Sequence, residues 1–351
     1  MLYIETGSSD AAFNFSLEEY FVRKCGNGKN DGSCEAAVMI WQAEDCVMVG
    51  CNQVAEAEAD VGYARESGIQ IVRRSSGGGT IYTDMGTFLF SMIMPHPSKH
   101  AYPADFAREA SVLPVLGALI KLGVPAVFAG RNDILVHGKK VSGLARYSIG
   151  NMICTHGSLL FHADLNRMER ALRVEEGKLR YKSLRSVRSR VANLSDFLDF
   201  SFSTQDFFGY LKQHLFSELA PRAYALTAAD LEGANEICRL KYGKASWTFR
   251  QPPKFSFQNS LCFPGGKLDV YLDVAGGTVS SCAIHGDFLG VAPISGLEKL
   301  FVSKPFDRFA FADSLRGVDM QPFLGGITKD EFMSCIFGCN QEEGGMFDKQ
   351  T

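Results

Sequence analysis

The stretch Gly130–Leu165, "GRNDILVHGKKVSGLARYSIGNMICTHGSLLFHADL", leaves the chain little choice of fold. It packs β-branched runs, a hairpin at "VHGKKV" and a final apolar strand into a segment with no room for a helical crossover, so its strands pair antiparallel. A doubly wound parallel sheet is thereby set aside. Upstream, "AFNFSLEEYFVRK" places Phe13, Leu17, Tyr20 and Phe21 at helical spacing after an opening strand. The runs "AAVMIW", "DCVMVG", "IQIVRR", "TIYT" and "TFLFSMIM" read as further strands, with helical "EADVGYARES" between the second and third. The polar "CGNGKNDGSCE" is expected to be a mobile loop. "PADFAREASVLPVLGALIKLG" reads as one long helix bent at Pro114, and "PAVFA" as a strand.

Helices are expected around residues 166–173, 204–219 and 228–242, and then "SWTFRQPPKFS" reads as a linker. Beyond it, "KLDVYLDVAGGTVSSCAIHGDFLG" alternates like a hairpin turning at its glycine pair, followed by two short helical patterns and a polar tail. The expected fold class is α+β. A large domain with a mixed, largely antiparallel sheet flanked by helices spans 1–246, a linker 247–256, and a small α+β accessory domain 257–351.

A net charge of -3 with 46% hydrophobic residues carries no global nucleic-acid footprint. No apolar run reaches the length of a bilayer span, and "MLYIETGSSD" lacks the basic start and apolar core of a secretory signal, so the expected address is the cytoplasm, with no membrane partner. The ten cysteines are dispersed without a C-x-x-C pair, which argues against zinc; most lie in apolar runs and are expected to be reduced core thiols.

Four clusters carry possible chemistry. In "RRSSGGGTIYTD", successive glycines let backbone N–H groups converge on an anion beside Arg73 and Arg74, although a hairpin or bulge uses one or two glycines with no ligand. The loop matches neither common nucleotide template. In "GRNDILVHGKKVSG", Asn132 and Asp133 lead a strand, so that Asp133 meets a lysine across the turn; on spacing alone, a solvated lysine pair reads better. The small residues after Lys140, Gly143 among them, favour close approach of a ligand or another segment. His156 in "CTHGSLL" reads first as a structural histidine, and nearby Cys154 as a half-buried strand residue. Arg185, Arg188 and Arg190 form a basic stretch that is either solvated or set to meet an acidic partner.

In this order and spacing, "FNFSLEEYF", "RRSSGGGTIYTD", "GRNDILVHGKKVSG", "HGSLLFHADL", "SLRSVRSRVANL" and the Trp and Pro linker resemble the lipoate-protein ligase A family of the biotin/lipoate ligase superfamily. The resemblance covers most of the chain. It implies a fold like that of class II aminoacyl-tRNA synthetases and biotin ligases. The implied reaction activates lipoate with ATP and Mg²⁺ to lipoyl-AMP, then transfers the lipoyl group to a lysine of apo lipoyl domains, in 2-oxoacid dehydrogenase E2 subunits or the glycine cleavage H protein. The chain is expected to act as a monomer.

Position by position, the resemblance implies that Arg74 contacts the nucleotide phosphates while Gly79, Thr80, Ile81 and Tyr82 line the ATP site, with Gly77 and Gly78 leaving room. Lys140 matches the essential lysine, whose ammonium screens carboxylate from triphosphate. Asn132 and Asp133 match the motif that meets phosphate and metal, with Asp133 as Mg²⁺ ligand, and His156 shapes the lipoyl pocket. Two departures stand out: Cys51 and Val54 replace the Arg and Asn of the family's G-R-x-Q-N, and Thr155 replaces a first histidine. Competing readings are an ATP-independent octanoyl or lipoyl transferase acting through Cys154, a biotin ligase, whose glycine loop is written differently, and a non-catalytic binder of adenylate or carrier domains.

Overall fold

The structure is a computed structural model that describes residues 1–27, 36–96, 110–173, 190–250 and 254–338. In chain order its strands are β1 (Leu2–Ile4), β2 (Ala37–Trp41), β3 (Cys46–Val49), β4 (Gln70–Arg73), β5 (Ile81–Thr83), β6 (Thr87–Pro95) and β7 (Ala126–Ala129). They continue with β8 (Asp133–Val136), β9 (Lys139–Ile149), β10 (Met152–Leu160) and β11 (Arg222–Tyr224). The last three are β12 (Phe257–Phe263), β13 (Gly266–Ala275) and β14 (Thr278–Gly286).

Eight of these strands form one sheet, ordered β11-β1-β2-β6-β10-β9-β8-β7. Only β1 pairs in parallel, with β2 and β11; the long central strands β6, β10 and β9 run antiparallel. The β8–β9 turn is tight because His137 and Gly138 both take positive φ, 48° and 77°, the geometry a two-residue hairpin requires.

Helix α1 (Ala11–Asn27) starts where Asp10 accepts a hydrogen bond from the N–H of Phe13. Its Phe15, Leu17 and Phe21 are buried against β2, β6 and β10, making the core of one sheet face. On the other face, α2 (Leu113–Lys121) and α3 (Thr204–Leu219) bury Val115, Leu119, Phe207 and Leu211. Pro114 lies in the first turn of α2, where its missing N–H costs nothing; Ala110 and Ser111 before it are also helical, so the helical run is interrupted at Val112, two residues ahead of the proline. The long helix expected there begins in residues outside the described set.

A second small sheet, ordered β4-β3-β5, lies beside the large one and carries residues 74–80 as the loop between β4 and β5. The C-terminal unit is a third sheet, β12-β13-β14, closed by helix α4 (Lys329–Phe337) over a separate core of Leu268, Phe301, Phe311 and Phe332. Its hairpin turns at Gly276 and Gly277, as the sequence indicated, but β12 and several short helices were missed. Cys25, in the last turn of α1, is disulfide-bonded, which corrects the expectation of uniformly reduced thiols; spacing alone cannot reveal a pairing. Cys46, Cys51, Cys154, Cys238, Cys282 and Cys335 are free thiols. No helix among the described residues is long and apolar enough to cross a membrane.

Candidate active site

Lys140 enters the site through an irregularity in the β8–β9 ladder. Ile134 faces Ser142 but Leu135 faces Lys140, so β9 carries one extra residue, and such a bulge re-aims the side chains beside it. The ammonium of Lys140 lies 2.7 Å from the carboxylate of Asp133, the cross-hairpin pairing anticipated from the sequence. Gly143 makes room for it, because a Cβ there would stand 2.7 Å from Nζ. The Lys140 backbone is fixed from outside the hairpin, its N–H donating to Arg190 O and its carbonyl accepting from Ala192 N–H.

Two adjoining cavities share a wall made of Gly79, Thr80, Ile81, Lys140, Gly143 and Ser158. The smaller, about 110 Å³, is apolar at Phe15, Met48, Leu89, Leu144 and Ala145 and polar at Arg74, Asn132 and His156. The larger, about 240 Å³, extends past Tyr82 and Ser142 to Met168, Leu172, Arg173 and Arg190. Arg185 and Arg188 lie outside the described residues. Gly77 and Asp133 are the predicted site residues that line neither cavity. The Asn132 amide donates to Leu144 O at 2.7 Å, tying the start of β8 to β9.

The two arginines of the glycine loop divide the work. Arg73 is fully buried, and its guanidinium donates to the carbonyls of Gly50, Cys51, Gln53, Trp247 and Thr248. It is committed to backbone, so it is no anion ligand, and the "linker" beginning at Trp247 is docked against the site. Arg74 donates to Ser76 Oγ and to the carbonyls of Met48, Gly77 and Gly79, closing the loop on itself at the edge of the smaller cavity. Burial lowers its pKa to about 10, with the neighbouring Cys51 thiol acting in the opposite direction.

The glycines also differ from one another. A Cβ on Gly77 would stand 2.5 Å from Phe288 O, and one on Gly78, whose φ is +85°, 3.0 Å from Leu289 Cδ2. The N–H of Gly78 donates to Phe288 O at 3.1 Å. The C-terminal unit therefore fills the space at Gly77 and presses on Gly78, although Gly78 still lines the smaller cavity. Gly79 has nothing within 4 Å of its Cβ position and faces both cavities.

Two buried carboxylates that sequence reasoning passed over hold the loop from below. Glu18 receives His156 Nδ1 at 3.0 Å, Tyr147 OH at 3.1 Å and the Ser91 hydroxyl. Glu19 pairs with Lys241 at 2.6 Å and accepts from Tyr242 OH, and Lys241 also donates to Ser75 Oγ. The signal was present in "SLEEYF": two acids amid the apolar residues of a core helix demand partners. Gln53 accepts from Gly50 N–H and Thr80 Oγ1, so the departures at Cys51 and Val54 leave the neighbouring Gln53 braced against the loop.

A family model described as the lipoyl protein ligase A/B catalytic domain matches residues 10–216, and one described as the bacterial lipoate protein ligase C-terminus matches residues 252–336. Lipoate-protein ligase LplJ of Bacillus subtilis is 35% identical over 342 residues, covering 96% of this chain and 100% of its own length. The chain belongs to the lipoate-protein ligase family. Lipoate–protein ligase 1 of Staphylococcus aureus is 31% identical, covering 93% of this chain and 96% of that one. Among solved structures, P. falciparum LipL1 in complex with lipoate superposes with a TM-score of 0.76 at 20% identity, covering 91% and 94% of the two chains. A lipoate-protein ligase A bound with ATP gives 0.58 at 25% identity, covering 71% and 97%.

In this ligase Cys154 is 0% exposed and lines neither cavity. Burial and the Glu18 carboxylate push its thiol pKa well up, which disfavours the thiolate that a thioester-forming transferase would need. Thr155 and His156 point to opposite faces of β10, and Thr155 pairs across β9 with Arg146, away from the cavities.

Proposed function

We propose that this ligase seats the lipoyl chain in the smaller cavity and ATP in the larger, with Lys140 at the junction where the two substrates react. The observation that carries this reading is the position of Lys140 on the wall common to both cavities, each of them largely apolar in its lining. In the first half-reaction a lipoate carboxylate oxygen attacks the α-phosphorus; an O–P bond forms, the α–β bridge breaks and pyrophosphate leaves. Two anions approach in that step, and a fixed ammonium offsets their repulsion most strongly as they meet.

In the second half-reaction the neutral ε-amine of an acceptor lysine attacks the acyl carbon, C–N forms, C–O breaks, AMP leaves with the bonding pair, and the proton lost from nitrogen passes to water. Lys140 then stabilises the departing phosphate. The acceptors that fit are apo lipoyl domains of 2-oxoacid dehydrogenase E2 subunits and the glycine cleavage H protein. A bipartite relative from Thermoplasma acidophilum, 26% identical with a TM-score of 0.60, was solved as a lipoylation system with its E2 lipoyl domain.

Gly79 and Thr80 at the end of the loop and Ile81 and Tyr82 of β5 present their backbone to the nucleotide, while Arg74, Asn132 and His156 border the acyl cavity. Mg²⁺ takes most of its shell from phosphate and water and asks the protein for one or two carboxylates. Asp133, with its side chain 35% exposed beside Lys140, suits that demand. The bound ion would neutralise triphosphate charge.

Incubating the whole chain with ATP, Mg²⁺, lipoate and an apo lipoyl domain, and weighing the acceptor by mass spectrometry, tests the proposal. One added lipoyl group, absent with Lys140→Ala, is expected; an unmodified acceptor with the unsubstituted ligase would refute it.

A further inference from the structure

Beneath the glycine loop runs a buried chain of hydrogen bonds that the two half-reactions above leave unused. Arg74 Nε donates to Ser76 Oγ at 3.0 Å, Ser76 Oγ lies 2.6 Å from His156 Nε2, and His156 Nδ1 lies 3.0 Å from Glu18 Oε2. Ser76 and Glu18 are both 0% exposed, and His156 is 6% exposed. Nothing along the chain is solvent-adjusted.

The donors settle its direction. A guanidinium only donates, so Ser76 Oγ accepts from Arg74 and its own proton is free to point at Nε2. Nε2 is then the acceptor, which makes Nδ1 the N–H that Glu18 receives. Burial opposes ionisation of Glu18, but His156 and the hydroxyls of Ser91 and Tyr147 outweigh it and hold the carboxyl below its usual range. In this arrangement every member is satisfied.

The order serine, histidine, carboxylate also serves nucleophilic catalysis elsewhere. Here Ser76 lines neither cavity and one of its two lone pairs accepts from Arg74, so the chain presents no nucleophile to either substrate. Its far end is the loop itself, because Arg74 also holds the carbonyls of Gly77 and Gly79.

We infer that Glu18 is a positioning residue for adenylate formation: acting through His156 and Ser76, it sets the Arg74–Gly79 turn against the wall that the two cavities share. The inference rests on the ligase reading above. It assigns Glu18 no contact with substrate, and its effect is geometric: displacing reacting groups by about 1 Å costs on the order of a hundredfold in rate.

The test is a double-mutant cycle on whole-chain protein, reading kcat and KM in lipoate-dependent ATP–pyrophosphate exchange for Glu18→Gln, Ser76→Ala and the pair. Each single variant is expected to lower kcat by about tenfold or more, and the pair no further than the weaker single, since both cut one chain. In ¹⁵N NMR, His156 should carry its proton on Nδ1 in the unsubstituted protein and shift toward Nε2–H in Glu18→Gln, whose amide can donate to Nδ1. Should Glu18→Gln fail to fold, the cycle between His156→Gln and Ser76→Ala reads the same chain. Multiplied losses, unchanged kcat in Glu18→Gln, or an unmoved tautomer would overturn the inference. An unsubstituted protein without exchange overturns the ligase reading and this role together, whereas normal exchange with an indifferent Glu18→Gln overturns this inference alone.

Discussion

Lys140 and Asp133 form a 2.7 Å ion pair across the β8–β9 hairpin, with both side chains about one-third exposed, at 34% and 35%. An ion pair so open to water adds only ~0–1 kcal/mol to stability. Its placement beside the shared wall therefore matters for chemistry more than for folding.

Lys140→Ala should accordingly leave the thermal midpoint within a few degrees while lowering lipoate-dependent exchange by about a hundredfold or more. Lys140→Arg should not restore it, because a planar fork cannot occupy the space over Gly143 that a single ammonium fills. Calorimetry alongside exchange kinetics separates the two effects, and a large stability loss with modest kinetic loss would contradict the assignment.

Gly143→Ala probes the same ammonium from the neighbouring residue. The new methyl would meet Nζ and Cε at 2.7 and 2.8 Å, the mobile end of a side chain, so the lysine swings away and the fold survives. Expected is a drop in kcat of about tenfold to a hundredfold with little change in thermal midpoint. Exchange assays on the purified variant check it.

Much of this was legible in the sequence, for reasons that can be named. The β8–β9 hairpin shows itself in "VHGKKV", where a tight turn leaves Asp133 and Lys140 no separation but that across two strands. Glu18 stayed hidden because its partners, Ser91, Tyr147 and His156, come from three strands far along the chain. The role of Arg73 was misread for a similar reason: its carbonyl partners at Trp247 and Thr248 lie at long range, and local spacing shows only a cation beside glycines. Local chemistry reads from local sequence; buried polar networks do not.

Gly77 and Gly79 should part company when each is changed to alanine. At Gly77 the methyl would press on Phe288 O at 2.5 Å, backbone against backbone, so the contact between loop and C-terminal unit must open. A lowered thermal midpoint and faster amide exchange at Gly78, whose N–H bonds that same carbonyl, are expected. At Gly79 the methyl projects into the cavity wall, leaving the midpoint in place and raising KM for ATP. Matching behaviour of the two variants would refute the division of roles among these glycines.

His285 makes the docking of the C-terminal unit sensitive to acid. Burial, reinforced by the charges of Arg250 and Arg73 and partly offset by a backbone hydrogen bond with Asn52, lowers its pKa from 6.5 to about 4. The folded state thus binds fewer protons than the unfolded state between those two values, and stability must rise with pH across that window. Above pH ~6.5 both states are neutral at this residue and its contribution is flat. Protonation places a third cation beside the two arginines where Gly286 N–H meets Asn52 O at 2.8 Å, so this is the contact that acid should loosen first. Thermal midpoints measured from pH 4 to 7 should climb more steeply for the unsubstituted protein than for His285→Gln, which cannot take up the proton. Parallel curves would show that the histidine does not govern the junction, and would leave Glu18 and Glu19, whose pKa values are lowered, to account for any acid loss.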